Sequence, residues 1–128
     1  MPHMQVILDT NALIYAARNK IDLVDELKRK FGLIGVYVPS LVVNELKQIK
    51  ATGKKTDREN ADLALDILHH KRLPVVEMQG VTDDEIAKWA EKNKAAVLTN
   101  DVELKFMLRG LGVPVFHIRQ GKYIEEWG

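Results

Sequence analysis

Gln5-Val6-Ile7-Leu8-Asp9-Thr10-Asn11 is the stretch from which the fold can be read. The apolar run Val6-Ile7-Leu8 ends abruptly in an acid, a hydroxyl and an amide. Short β-branched runs bounded this way read as buried strands, which puts Asp9 at a strand's carboxyl end. Ligands of open parallel sheets bind at that end. The expectation to carry along the chain is that other acids are delivered to the same point.

Outward from this stretch, strands and helices alternate. Ala12 to Ala17 reads as a short helix, and Ile21 to Phe31 as a second that stops at Gly32. Ile34 to Val38 is strand-like, and Pro39-Ser40 suits the start of a helix running to Ile49. The run Ala51 to Lys55 breaks it. Thr56 with Glu59 predicts a capping box and a helix reaching about Lys71, and Thr82 with Glu85 predicts another. Leu73 to Glu77, Ala95 to Thr99 and Pro114 to Ile118 read as further short strands. Asp101 to Arg109 reads as the last helix, and Lys122 to Trp127 as an edge strand or a tail packed by its Trp. Such alternation predicts an α/β sandwich of three layers around a mainly parallel sheet of four to five strands, with every parallel strand's carboxyl end along one rim.

Composition sets the bounds. With 128 residues, 46% of them hydrophobic, the chain is expected to form a single domain spanning residues 1–128. Nineteen Lys and Arg against eighteen Asp and Glu leave a net charge of +1, so total charge selects no partner. The absence of Cys excludes disulfides, Cys-type zinc sites and a thiol nucleophile. No apolar run nears the ~20 residues that span a bilayer, and the start Met-Pro-His-Met lacks a signal-peptide core, so no membrane partner and a cytoplasmic location are expected.

Acids at helix starts favour the positive end of the helix dipole, so Asp83, Asp84 and Asp101 have a bland explanation. Helical angles separate them. Asp83 shares a stripe with Ile86, Ala87 and Ala90, whereas Asp84 is turned about 100° away. Asp101 shares a stripe with Leu104, Leu108 and Leu111, while Glu103 projects elsewhere and suits an N3 partner to an Asn100 cap. Glu45 interrupts an apolar face between Leu41 and Ile49. A buried acid is protonated, ion-paired or metal-bound, and Lys47 and Lys50 both project away from Glu45's side. Asp9, Glu45, Asp83 and Asp101 together would repel one another unless a hard cation such as Mg²⁺ or Mn²⁺ satisfied them. His69 and His70 are adjacent on a helix and cannot face one site; His3 and His117 are isolated. Hard cations held by acids suit phosphodiester hydrolysis.

These residues resemble the PIN-domain nucleases over nearly the whole chain. Asp9-Thr10-Asn11 is similar to the family's opening motif and Val43-Asn44-Glu45-Leu46 to its central acidic helix. Thr82 to Ala90 is similar to its third motif, and Thr99-Asn100-Asp101 with Val102-Glu103-Leu104 to its fourth. The resemblance implies a PIN-like fold in which Asp9, Glu45, Asp83 and Asp101 hold one or two Mg²⁺ or Mn²⁺ ions. It implies RNA as substrate, cut to leave 5′-phosphate and 3′-hydroxyl ends, with Asn11 and Thr99 as polar residues that orient ligands or water. A homodimer is also implied. Two subgroups fit: VapC-like toxins with an antitoxin partner, and ribosomal-RNA-processing nucleases with ribosome-assembly partners. The Asp83-Asp84 doublet and the stretch Thr99 to Lys105, followed by Gly112 to Val115, look more like the second.

Lys47, Lys50, Lys54, Lys55 and Arg58 form a candidate RNA-binding cluster, which also reads as ordinary solvated helix surface. Lys105 and Arg109 add two charges, Lys105 with Asp101 as a helix pair four residues apart. Two other classes place an acid after the first strand. Haloacid-dehalogenase-type phosphatases need a second acid where Asn11 stands, and response-regulator receivers need an acidic pair that is missing. A non-catalytic RNA-binding module is the remaining alternative.

Overall fold

The computed structural model describes residues 3–128; Met1 and Pro2, half of the Met-Pro-His-Met start, lie outside the described residues. Among the described residues are six strands: Met4–Leu8 (β1), Ile34–Pro39 (β2), Val75–Val76 (β3), Ala96–Leu98 (β4), Val115–Arg119 (β5) and Tyr123–Trp127 (β6). Six helices accompany them: Thr10–Asn19 (α1), Leu23–Phe31 (α2), Ser40–Thr52 (α3), Lys55–His70 (α4), Thr82–Asn93 (α5) and Val102–Gly110 (α6). The sheet runs β3-β2-β1-β4-β5-β6. Its first five strands are parallel and β6 is antiparallel. The expected three-layer α/β/α architecture is present with one strand more than the four to five expected. That sixth strand is the segment read as an edge strand or a tail. It returns through Gln120 and Gly121, whose φ values of 54° and 67° suit the tight hairpin turn that matches strand twist.

The centre of the sheet is its driest part. Val6, Ile7, Leu8, Val97 and Leu98 are all 0% exposed, as expected of parallel strands covered on both sides. Helices α1 and α3 both pack against α4, and α5 packs against α6. No helix among the described residues is long and apolar enough to cross a membrane.

The order of the strands positions the site. From β1 the chain first builds outward through β2 to β3, then crosses back to place β4 on the other flank of β1. The crevice between the ends of β1 and β4 is therefore the sheet's switch point, the place where loops diverge and leave an opening. Asp9 follows β1, and Thr99, Asn100 and Asp101 follow β4.

Several local expectations are corrected. Helix α1 extends beyond Ala12 to Ala17 at both ends: the Asp9 carboxylate caps its start by accepting from the Ala12 N–H at 2.8 Å, and Lys20, left-handed, closes its end with its N–H on the Ala16 and Ala17 carbonyls. Neither predicted capping box forms: α4 begins behind Lys54 and α5 behind Val81, without a side-chain cap in either case. Asp101, not Asn100, caps α6, accepting from the Leu104 N–H at 2.9 Å. Asn100 instead grips Ile118, donating to its carbonyl and accepting from its N–H. Helix α3 does start at Pro39-Ser40, with Pro39 in the cap position, and the Ser40 hydroxyl donates to the Met78 carbonyl and accepts from the Met78 N–H, pinning the segment that leads into α5. Leu111, placed on the inward stripe of α6, is 42% exposed because the helix has already ended.

Candidate active site

A cleft of about 470 Å³ opens at the switch point. Asp9, Glu45, Asp83 and Asp101 all line it, with Thr10, Asn11, Ile14, Tyr15, Arg18, Ile49, Thr82 and Asn100. Four segments far apart in the chain thus bring their acids to one place. Asp84 and Glu103 are exposed and do not line the cleft, which separates them from Asp83 and Asp101 as the helical angles predict.

Each acid is held differently. Asp9 is 5% exposed and lies one residue beyond the Leu8 and Leu98 pairing, beside Thr99. Its second carboxylate oxygen accepts from the Thr99 hydroxyl at 2.5 Å, and that hydroxyl accepts in turn from the Asp101 N–H at 2.9 Å. Thr99 is fully buried beneath the cleft and does not line it, so one hydroxyl ties two of the acids' segments together. Glu45 is gripped by two hydroxyls, Thr10 at 2.5 Å on one oxygen and Thr82 on the other. The Thr82 side chain is therefore engaged across the cleft, which accounts for the missing cap on α5. Asn11 accepts from the Asn100 N–H at 3.2 Å and links the loops after β1 and β4.

Electrostatics are set by burial and by like charge. Desolvation pushes the Asp9 carboxyl up to about 7; its bonds from Thr99 and Ala12 oppose the rise, and the charges of Asp83 and Asp101 add to it. Asp83 is raised as well, first by desolvation, then by the charges of Asp101, Glu45, Asp84 and Glu103. None of the four cleft acids forms an ion pair among the described residues. The salt bridge considered for Glu45 with Lys47 or Lys50 is absent among the described residues, and Lys50 pairs with Asp62 at 2.8 Å instead.

The donor set suits a hard divalent cation: four carboxylates, no His and no Cys line the cleft. The carboxylates share the cleft without closing on one point. Among the described residues no group of three or more His, Cys, Asp or Glu is arranged tightly enough to hold an ion as it stands. Asp9 turns its oxygens to the Thr99 hydroxyl and the Ala12 N–H and Glu45 turns both of its to hydroxyls, and each carboxylate oxygen keeps a second lone pair.

The expected basic cluster is elsewhere. Lys47 and Lys50 line a larger groove of about 910 Å³ with residues of α4 and an apolar floor that includes Val43, Leu65 and Leu73. That groove holds one acid, Asp66, so its size does not make it the reactive site. Lys54, Lys55 and Arg58 are exposed where α4 begins and do not line the cleft. Lys105 does not pair with Asp101; it is buried and its amine lies 2.9 Å from His117 Nδ1. Sequence reasoning missed Thr10 and Thr82 as the grips on Glu45, and Tyr15 and Arg18 on the cleft wall. The spacing of Asn11, Ile14, Tyr15 and Arg18, one stripe of α1, was the available signal.

The chain is similar to known proteins. The family described as a PIN like domain matches residues 6–121. Ribonuclease VapC9 of Archaeoglobus fulgidus is 32% identical over 118 residues, covering 92% of this chain and 85% of the relative. Ribonuclease VapC4 of Methanocaldococcus jannaschii is 28% identical over 127 residues, covering 97% of each. Among solved structures, the PIN domain endonuclease Utp24 superposes with a TM-score of 0.79 at 25% identity, over 95% of this chain and 90% of that one. With a family match spanning nearly all of β1 to the β5–β6 turn and the acids gathered at the switch point, the chain belongs to the PIN-like domain family.

Proposed function

We propose that the chain, acting as one domain over residues 1–128, is a metal-dependent ribonuclease that hydrolyses RNA phosphodiester bonds. The observation that carries this reading is the gathering of Asp9, Glu45, Asp83 and Asp101 in one cleft with no cationic side chain among the described residues paired to any of them. The names of the two sequence relatives, both ribonucleases, support RNA as the substrate. Asp9, Glu45, Asp83 and Asp101 would hold one or two Mg²⁺ or Mn²⁺ ions. Such ions neutralise the phosphate, lower the pKa of a water and stabilise the leaving oxygen.

The chain's own residues prepare the site. Thr99 and the Ala12 N–H fix the Asp9 carboxylate so that its free lone pairs face the cleft, and they oppose the rise in its pKa. Thr10 and Thr82 fix both oxygens of Glu45 and stop the carboxylate from rotating. Asn11 and Asn100 hold the loops after β1 and β4 at constant separation. Preorganised oxygens lose little freedom when they engage a ligand. The products expected are a 5′-phosphate and a 3′-hydroxyl.

Two roles have support. Relatives named VapC favour a toxin ribonuclease with an antitoxin partner. The motif details from Asp83 to Val115 favour RNA processing, and the likeness to the Utp24 endonuclease supports a nuclease in either role. The test incubates labelled RNAs with purified protein in Mg²⁺, Mn²⁺ or EDTA. Cleavage is expected in either ion, none in EDTA, and a loss of at least about a hundredfold in Asp9→Asn and Glu45→Gln, since even residues that only support metal ligands cost 10–100-fold. A broad RNA panel left intact by wild type, with the variants indistinguishable from it, contradicts the reading. Growth arrest on expression, relieved by Asp101→Asn, selects the toxin role.

A further inference from the structure

We propose that Tyr15 and Arg18 form a binding subsite for an unpaired RNA strand beside the acids, the guanidinium receiving a phosphate next to the cut bond and the Tyr15 ring an adjoining base. The inference rests on the reading that RNA occupies the cleft. Helix α1 has two faces: Ala12, Leu13, Ala16 and Ala17 are buried in the core, while Asn11, Ile14, Tyr15 and Arg18 line the cleft. Arg18 is the one cationic side chain among the cleft-lining residues. It forms no ion pair among the described residues, and its guanidinium carbon lies 5.7 Å from the centre of the Tyr15 ring.

A cation in the last turn of a helix complements the helix dipole, which explains the charge at Arg18 but not its place on the cleft wall. Nine residues separate Arg18 from Asp9, roughly 13 Å along a helix. Long helical side chains lean back toward the N-terminus, so the guanidinium approaches the acids without reaching them. It therefore meets a neighbouring phosphate, not the one being cut. Guanidinium suits that role because its planar fork matches two phosphate oxygens. A depression of about 470 Å³ matches a nucleotide-sized group, which suits a strand whose base is unpaired and free to enter it. An aromatic ring beside a cation is the arrangement by which single strands are held with little sequence preference.

The test measures fluorescence anisotropy of a labelled single-stranded RNA oligonucleotide in Mg²⁺, with every variant built on Asp101→Asn to prevent cutting. Asn caps helices as well as Asp does, so that background keeps α6. Arg18→Ala is expected to weaken binding about tenfold and to lower the slope of log affinity against log salt by about one, while Arg18→Lys keeps the slope. Tyr15→Leu, which preserves apolar bulk, is expected to weaken binding several-fold, and Tyr15→Phe to retain it. Unchanged affinity and slope in Arg18→Ala overturns the proposal, as does a duplex of the same sequence binding as tightly as the single strand. Binding that depends on Arg18 in a chain whose Asp101 form cuts nothing would sink the nuclease reading and leave the subsite standing.

Discussion

Two regions of this protein bury charge, and they handle it in opposite ways. Beneath the outer end of the sheet, Lys105 is buried and its amine faces His117 Nδ1 at 2.9 Å. His117 Nε2, which then carries the hydrogen, donates to Glu125 at 2.8 Å, and Glu125 also receives Arg119 at 3.2 Å. The His117 bond, followed by Arg119, holds the Glu125 carboxyl below its usual range. Trp127 completes the unit: Arg109 lies 4.1 Å and Lys105 5.4 Å from its ring centre, and Phe106 meets it edge-on at 5.2 Å. Every charge there has a partner of opposite sign or an aromatic face. In the cleft, four carboxylates have hydroxyls, backbone N–H groups and one another. Internally compensated charge ties strands to a helix, whereas uncompensated charge of one sign marks a place reserved for something from outside.

The largest expected effect sharpens that contrast through pH. Burial pushes the Asp9 carboxyl up to about 7, from an ordinary value of 3.8. Because the folded form binds the proton more tightly, the associated stability is fully present below the unfolded pKa and is lost as pH rises through about 7. The ion-free protein should therefore lose stability between about pH 4 and pH 8, by an amount on the order of 4 kcal/mol at most. Asp9→Asn should flatten this dependence in urea unfolding followed by circular dichroism. Equal pH dependence in wild type and variant would mean that Asp9 carries no such strain.

Next come the hydroxyls that grip Glu45. Thr10→Val and Thr82→Val each keep shape and remove one donor, and each is expected to lower kcat for RNA cleavage by about 10–100-fold with little change in unfolding midpoint. A fall in stability with unchanged kcat would show that these hydroxyls only hold helices together. The smallest effect belongs to the compensated region. Trp127→Ala should cost about 2 kcal/mol in chemical denaturation, less than a fully buried Trp because the ring is partly exposed, and leave kcat of the folded protein unchanged. Lost cleavage in a folded Trp127→Ala protein would break the division between the two regions.

Much of this was legible in the sequence for identifiable reasons. Strand periodicity and the polar ending of Val6-Ile7-Leu8 specify the parallel centre, and the helical angle distinguishes Asp83 from Asp84 because that angle is fixed by geometry alone. The caps were misread because a hydroxyl or amide near a helix start has several partners within reach. Thr82 went to Glu45 and Asn100 to Ile118, and in each case the partner lies at least 18 residues away in sequence. Lys105 looked like a surface partner for Asp101 because sequence spacing cannot register the hairpin that covers it. The placement of cations was hidden for the same reason: the densest run, Lys47 to Arg58, does not line the acids' cleft, while the single Arg18 lines its wall.

The central claim, that the cleft is an acid site reserved for a divalent cation, is tested most directly by isothermal titration of Mn²⁺ into the protein at pH 7 and again at pH 9, in buffers of differing ionisation enthalpy. Saturable binding is predicted, with proton release at pH 7 as the Asp9 carboxyl gives up its proton and little release at pH 9; Asp9→Asn should bind more weakly and release none. Absence of saturable Mn²⁺ binding at both pH values, or binding that Asp9→Asn leaves unchanged, would contradict it.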